Sequence, residues 1–159
     1  MNLKGRDAAL AWLKGLKEHG RLYNGNGAAM KAVEDGEIAA ALVNNYYWFG
    51  IAKERGVENM KSEIHYVNKG DAGALINLSP AGVLKTAKNA AAAQKLLAFF
   101  ISEVGQKAIT TAYAEYPVRA GVVSPFPLKP LSEIGAAVRP ADIGSAQVAY
   151  ALMREAGML

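Results

Sequence analysis

Apolar residues recur at helical spacing in several segments of the chain, and turn-forming residues follow them. The clearest segment, residues 6–18, ends before Gly20 and places five apolar residues on one face: Ala9, Leu10, Trp12, Leu13 and Leu16. The same spacing predicts helices over residues 26–34, 46–55 and 145–156, a helix capped by Asn89, and a Gly105-containing helix that continues from it to about residue 112. In the helix after Asn89, a core stripe is expected from Ala93, Leu96, Leu97 and Phe100.

Three shorter segments have the pattern of β-strands. Residues 38–43 form a continuous apolar run, which is typical of a strand buried on both faces in the middle of a parallel sheet. Residues 64–68 and 74–79 have the composition of two further strands, joined by turn residues at 69–71. The alternation of helices with short strands predicts an α/β fold.

The junction between the strand at 38–43 and the helix after it is the strongest candidate site. Ligands of parallel sheets lie beyond the carboxyl ends of the strands, and this end carries Asn44, Asn45, Tyr46 and Tyr47. Adjacent residues diverge within a strand or a helix, but at a joint two consecutive phenols can converge. Deprotonated phenols are hard oxygen donors, and a helix amino terminus favours anions nearby. The pattern indicates capture of a hard cation such as Fe³⁺, together with an anion.

Plainer interpretations of the same residues remain open at this point. An aromatic cluster that packs the helix against a core would also contain Tyr46, Tyr47, Trp48 and Phe49. Asn26 and Asn45 can each act as a helix cap. A cap and an anion contact are compatible for Asn26, because both use the amino terminus of a helix.

Several segments resemble the carboxyl-terminal half of the periplasmic ferric-iron-binding proteins of bacterial ABC transporters, the two-lobed bacterial transferrins. The most specific is NNYYW at residues 44–48, accompanied by AWLKGLK at 11–17, KAVEDGE at 31–37, AEYPV at 114–118 and EAGM at 155–158. The resemblance covers nearly all 159 residues. It implies part of a type II periplasmic solute-binding fold, a two-lobed Venus flytrap, with residues 1–159 forming a single α/β unit by length that contributes to both lobes.

The resemblance also implies a ligand set. Tyr46 and Tyr47 correspond to the consecutive tyrosines whose phenolates hold Fe³⁺ in that family, while Asn44 and Asn26 correspond to asparagines that hold the synergistic anion, phosphate or carbonate. Many members take a further histidine, a glutamate and an anion loop from the amino-terminal half. Neither His19 nor His65 is assigned that role. The chain is therefore expected to be a segment of a longer protein, with the amino-terminal half as its partner.

Composition and charge exclude several classes of site. The chain has no cysteine, so disulfides and thiolate metal sites are excluded. The net charge of +4 comes from scattered lysines and arginines without interleaved aromatic residues, which argues against nucleic-acid binding. No run of about 18 apolar residues predicts a membrane span. Residues 1–7 lack the apolar core of a signal peptide, so the leader is expected in the amino-terminal half.

The expected function is ferric iron binding in the periplasm and delivery to an inner-membrane ABC permease. The alternative is a type II solute-binding protein for a polyamine or a small oxyanion, with Tyr46 and Tyr47 as walls of the pocket. A visible charge-transfer colour separates the two. An enzyme is not expected, because the sequence has no nucleophile elbow, paired histidine ligands or Walker loop. Uncovered sheet edges and apolar surfaces would favour association with another chain.

Overall fold

The structure is a computed structural model that describes residues 4–135 and 142–159. Within those residues the chain forms six α-helices: α1 Arg6–His19, α2 Asn26–Glu34, α3 Asn45–Arg55, α4 Ala90–Phe100, α5 Glu103–Ala112 and α6 Ala146–Glu155. Short 3₁₀ turns lie at Val57–Asn59 and Leu131–Glu133. None of these helices is long and apolar enough to cross a membrane.

The chain divides into two compact units, each built from segments that are not consecutive. The first unit consists of the described parts of residues 1–23, 65–78 and 130–159, and the second of Asn24–Ile64 and Ser79–Lys129. The backbone therefore passes between the units several times. The whole candidate site lies in the second unit.

The first unit is organised around the pairing of α1 with α6. An ion pair between Arg6 and Glu155 joins the start of α1 to the end of α6. The α6 residues that face inward are few, with Leu152 buried on the helix and Ala156 just beyond it. Gly157 follows with a φ of 71°, a conformation that glycine adopts without strain, and ends the helix as predicted.

The second unit contains the helix pairs α2–α3 and α4–α5. Its small core is formed by buried residues from α2, α3 and the segment after α5: Met30, Ala32, Phe49, Ala52, Ala114 and Val122. Phe49 is the largest of these, and its ring centroid lies 5.5 Å from that of Phe126. This aromatic contact holds α3 against the loop that follows α5.

The predicted helices are confirmed, but none of the three asparagines proposed as caps acts as one through its side chain. Asn26 is the first residue of α2 rather than its cap, and Asn45 is likewise the first residue of α3. Asn89 occupies the cap position of α4 without a side-chain hydrogen bond. Serine side chains cap two other helices. At α5 the hydroxyl of Ser102 accepts from Gly105 N at 3.1 Å, and at α6 that of Ser145 accepts from Gln147 N at 3.2 Å.

The predicted strands are not formed in the part of the chain that the structure describes. Residues 38–43, 64–68 and 74–79 lie in irregular segments without a β-ladder, so the α/β prediction is not confirmed here. The prediction that residues 38–43 are buried on both faces is also wrong, because Leu42 is 74% exposed. A strand exists only through hydrogen bonds to a neighbour, and these segments have no neighbouring strand within the described residues.

Much of the apolar surface also remains uncovered. The predicted core stripe of α4 is wrong for this chain, since nine of the helix's eleven residues are apolar yet none is buried. The accessible surface is 11595 Å², whereas a folded protein of this mass exposes about 7,600 Å², and two separately folded halves together about 9,200 Å². The accessible surface exceeds even the value for two separate halves, so the excess is not explained by the division into two units.

Candidate metal-binding site

The candidate site lies at the amino terminus of α3. Asn44 is extended, with φ −72° and ψ 142°, and the helix begins at the next residue. The backbone N–H of Tyr47 donates to the carbonyl of Asn44 over 3.2 Å, which closes the first turn. Tyr46 and Tyr47 are therefore the second and third residues of a helix that starts abruptly after extended chain.

The two tyrosine rings converge, although neighbouring helix positions point about 100° apart. Their centroids lie 4.7 Å apart with an angle of 36° between the planes. The side-chain amide of Asn44 donates to the phenol oxygen of Tyr46 over 3.1 Å. Asn44, Tyr46 and Tyr47 are thus brought together as the sequence predicted.

Electrostatics at the phenol of Tyr46 favour its neutral form when no cation is present. Burial, followed by the charge of Tyr47 and hydrogen bonding with it, raises the pKa of Tyr46 above the usual 10.0, and the amide of Asn44 lowers it by less. Glu115 adds a further small increase through its negative charge. Ionising both phenols would place two negative charges side by side, and a bound cation would compensate them.

Hydrogen bonds from the residues on either side of the tyrosines hold the start of α3. Asn45 donates its side-chain N–H to the carbonyl of Ala114 at 2.8 Å. Trp48 donates its indole N–H to both the carbonyl and the hydroxyl of Ser62, each at 3.1 Å. The tyrosine pair is therefore bracketed by two contacts to other segments of the same unit.

A buried carboxylate supports the second of these contacts, and sequence reasoning missed it. Glu34 is 1% exposed; its carboxylate accepts from the backbone N–H of Lys61 at 3.1 Å and from the hydroxyl of Ser62. Arg55, at the end of α3, places Nη1 3.5 Å from it. The hydrogen bond from Ser62 is the main reason that the pKa of Glu34 is lowered. No periodicity marks a carboxylate at a helix end as buried, so the sequence offered no signal.

Asn26 is the remaining residue predicted to hold the anion, and the two histidines have no predicted role. Asn26, at the first position of α2, lies in the same unit, and its side-chain amide forms no hydrogen bond with the described residues. His19 is exposed at the end of α1, with Nε2 3.9 Å from Glu18 Oε2, and His65 is exposed as well. Across residues 4–135 and 142–159, no three His, Asp or Glu side chains are grouped as metal ligands.

A groove of about 730 Å³ opens beside the tyrosine pair. Its walls combine aromatic side chains with one charge of each sign: Tyr46, Tyr47, Phe49, Tyr113, Phe126, Lys53 and Glu54. The two tyrosines line this open space rather than lying sealed in a core, so a ligand can reach them.

A sequence model of the bacterial extracellular solute-binding proteins matches residues 2–133. The chain belongs to this family. Among its curated relatives is the major ferric iron-binding protein of Neisseria meningitidis serogroup A, 46% identical over 159 residues, which are 99% of this chain and 48% of that protein. The Fe(3+)-binding periplasmic protein of Serratia marcescens is 35% identical over 161 residues, 100% of this chain and 47% of that protein.

This solute-binding protein chain spans about half the length of the curated relatives it matches, and the matched part is their carboxyl-terminal half. The major ferric iron-binding protein of Neisseria gonorrhoeae matches in the same way, at 45% identity over 159 residues. The resemblance drawn from the NNYYW motif is thereby confirmed at the level of the family and of its iron-binding relatives. The ligand roles of individual residues stay predictions.

Proposed function

We propose that the protein captures Fe³⁺ through the phenolate oxygens of Tyr46 and Tyr47. The observation that supports this most directly is the convergence of the two rings, at 4.7 Å between centroids, on the side of a groove. A trivalent cation displaces the phenol protons, as coordination does for other weak acids, and phenolate is a hard donor suited to it. Iron is the cargo of such a site rather than a permanent cofactor.

A synergistic anion would complete the site. Asn44 ends an extended segment and Asn26 begins α2, so each lies where free backbone N–H groups of a helix start are available. Phosphate or carbonate held by these asparagines would occupy coordination positions that two phenolates leave open.

The remaining ligands belong to the amino-terminal half of a two-lobed protein. The chain covers about half of its relatives' length and carries uncovered apolar surface, which supports pairing with that half. In the complete protein, residues 38–43, 64–68 and 74–79 would find strand partners and restore the α/β fold. The division of the chain into two units of interleaved segments supports a contribution to both lobes. Capture would take place in the periplasm, before delivery to an inner-membrane ABC permease and without any chemical conversion of the cargo.

A polyamine or small oxyanion is the second candidate ligand. The aromatic lining of the groove by Tyr113 and Phe126 favours an organic cation, which would stack on the rings without taking their protons. Such a ligand would need no phenolate, and it would give no colour.

Titration with ferric citrate, followed by visible absorption, separates these candidates. Coordinated phenolate produces a charge-transfer band, and each Fe³⁺ bound by both tyrosines displaces two phenol protons, part of which the released citrate takes up. The band should saturate with iron and be absent with Ga³⁺, which binds phenolates without a visible transition. A colourless iron complex, or spermidine binding in the groove that excludes iron, would overturn the ferric assignment.

A further inference from the structure

The start of α3 is fixed from both sides by hydrogen bonds that flank the tyrosine pair. Asn45 precedes the pair and bonds to Ala114 at 2.8 Å, while Trp48 follows it and bonds to Ser62 at 3.1 Å. Trp48 lies two positions after Tyr46, about 200° around the helix axis. A contact made by Trp48 therefore fixes the rotation of the helix start, and with it the directions in which Tyr46 and Tyr47 project.

The orientation of the Ser62 hydroxyl is itself determined by Glu34. A hydroxyl has one proton to donate, and Ser62 gives it to the buried carboxylate of Glu34. Its lone pairs are then free to accept, and the indole N–H of Trp48 donates to the hydroxyl at 3.1 Å while sharing its proton with the Ser62 carbonyl. Glu34, Ser62 and Trp48 thus form a directed relay that runs from the end of α2 to the first turn of α3.

We infer that this relay positions the ferric tyrosines, with Trp48 as the residue that acts on them and Glu34 and Ser62 as its supports. The inference rests on the proposed function, because it assigns a role toward the same ligand site. None of the three side chains is a metal ligand in this proposal. Their contribution is to hold the paired phenols in place before iron arrives, so that binding need not order the helix start.

The test uses the whole chain and ferric nitrilotriacetate as the iron source. Trp48→Phe keeps an aromatic ring and removes the indole N–H. Ser62→Ala removes the hydroxyl that accepts it and leaves the Ser62 carbonyl, which accepts the same N–H at 3.1 Å. Trp48→Phe should lower ferric affinity about ten- to a hundredfold, as changes beside metal ligands do, and Ser62→Ala should lower it by a smaller factor. Both should move the maximum of the charge-transfer band. Ser62→Thr retains the hydroxyl and should bind as the wild type does.

Gln106→Ala is the matched structural control. Gln106 is a buried polar residue of the same unit with two hydrogen bonds, to Phe100 O and from Val118 N, both at 2.8 Å and neither to α3. Its loss should lower the unfolding temperature and leave the band maximum where it is. Ser62 is only half-buried, so the Ala and Thr pair remains measurable if Trp48→Phe fails to fold.

The outcomes separate this inference from the proposed function. If the wild type gives the band and Ser62→Ala gives an identical band and affinity, the relay does not position the tyrosines. The same conclusion follows if Gln106→Ala weakens iron binding as much as Ser62→Ala at equal loss of stability. A wild type that shows no band with iron overturns the ferric site, and the positioning role falls with it.

Discussion

The side-chain amide of Asn44 donates to the phenol oxygen of Tyr46 over 3.1 Å. A hydrogen bond to an ionised oxygen is stronger than one to a neutral oxygen, so this contact favours the phenolate over the phenol. It opposes the effects of burial and of Tyr47, which raise the pKa of Tyr46. Under the proposed function, Asn44 would assist an iron-bound phenolate at Tyr46 in addition to holding the anion.

Replacing either tyrosine should weaken the iron complex. Tyr46→Phe and Tyr47→Phe each remove one phenolate, so each should reduce the charge-transfer band and the ferric affinity, and the double variant should abolish the colour. The measurement is visible absorption during titration with ferric citrate. Tyr113→Phe is the matched control, since Tyr113 lines the same groove, is 61% exposed and is not proposed as a ligand. Unchanged bands in both single variants would contradict the assignment of the two tyrosines as ferric ligands.

The two asparagines should differ in their effects on iron binding. Asn26→Ala and Asn44→Ala should both weaken the dependence of iron affinity on added phosphate or carbonate. Each lost charge-assisted hydrogen bond is worth about 1.5 to 3 kcal/mol, or roughly ten- to a hundredfold in anion affinity. Asn44→Ala should also move the band, because its amide bonds to Tyr46, whereas Asn26→Ala should not.

Asn59→Ala serves as the control for this pair. Its amide donates to Arg55 O at 2.6 Å on the exposed surface at the other end of α3. It should leave both the band and the anion dependence unaltered. Wild-type anion dependence in Asn26→Ala and Asn44→Ala alike would mean that the anion is held by other groups.

The buried carboxylate of Glu34 should make stability depend on pH. Its pKa is lowered in the folded state from about 4.5, chiefly by the hydroxyl of Ser62, so its ionised form favours folding. The contribution is complete above about pH 4.5 and is lost as the pH falls through the lowered value. Glu34→Gln should reduce the free energy of unfolding by about 1.5–3 kcal/mol at neutral pH, and by progressively less in acid.

Urea unfolding at a series of pH values measures this difference. Glu63→Gln, which changes an exposed carboxylate of the same unit, should alter stability little at any pH. A difference between Glu34→Gln and the wild type that stays constant down to pH 3 would show that the ionised form of Glu34 does not stabilise the fold.

The chain by itself should hold iron much more weakly than a complete two-lobed protein. Under the proposed function, ligands from the amino-terminal half are absent and water takes their coordination positions, and incomplete lobes cannot close over the site. A chimera that joins this chain to the amino-terminal half of the meningococcal relative supplies the comparison, with citrate competition as the measurement. Equal resistance to citrate in the chain and the chimera would contradict the proposal that the other half completes the site.

The uncovered apolar surface around the end of α4 should drive association of the isolated chain. Leu96, Ile101 and Val104 are 52%, 61% and 67% exposed in one stretch of the second unit. Ile101→Lys should therefore lower the apparent mass at high concentration in sedimentation experiments, while Val57→Lys, at a 63% exposed position away from this stretch, should not. In the chimera, association should be absent without either change. Concentration-independent monomers of the wild-type chain would contradict this expectation.

The sequence by itself determined the helices, because their apolar spacing and terminal residues are local properties that survive in any tertiary context. It also determined the family, through a short motif of two amides and two tyrosines, and the convergence of Asn44, Tyr46 and Tyr47. These residues are adjacent along the chain. The pattern could therefore indicate that they lie close together, while the directions in which the tyrosines project also depend on the contacts of Asn45 and Trp48 with distant segments.

Only the tertiary structure decided what depends on distant partners. The strand at 38–43 could not be judged from its apolar run, because a strand needs neighbours, and the described residues supply none. The burial of Glu34 and its bond to Ser62 join segments 28 residues apart, and nothing in local periodicity encodes such a contact. Asn45 bonds to Ala114, 69 residues away, instead of capping its own helix. A side-chain amide bonds to the partner that the folded chain places near it, and the packing of the whole unit decides which partner that is.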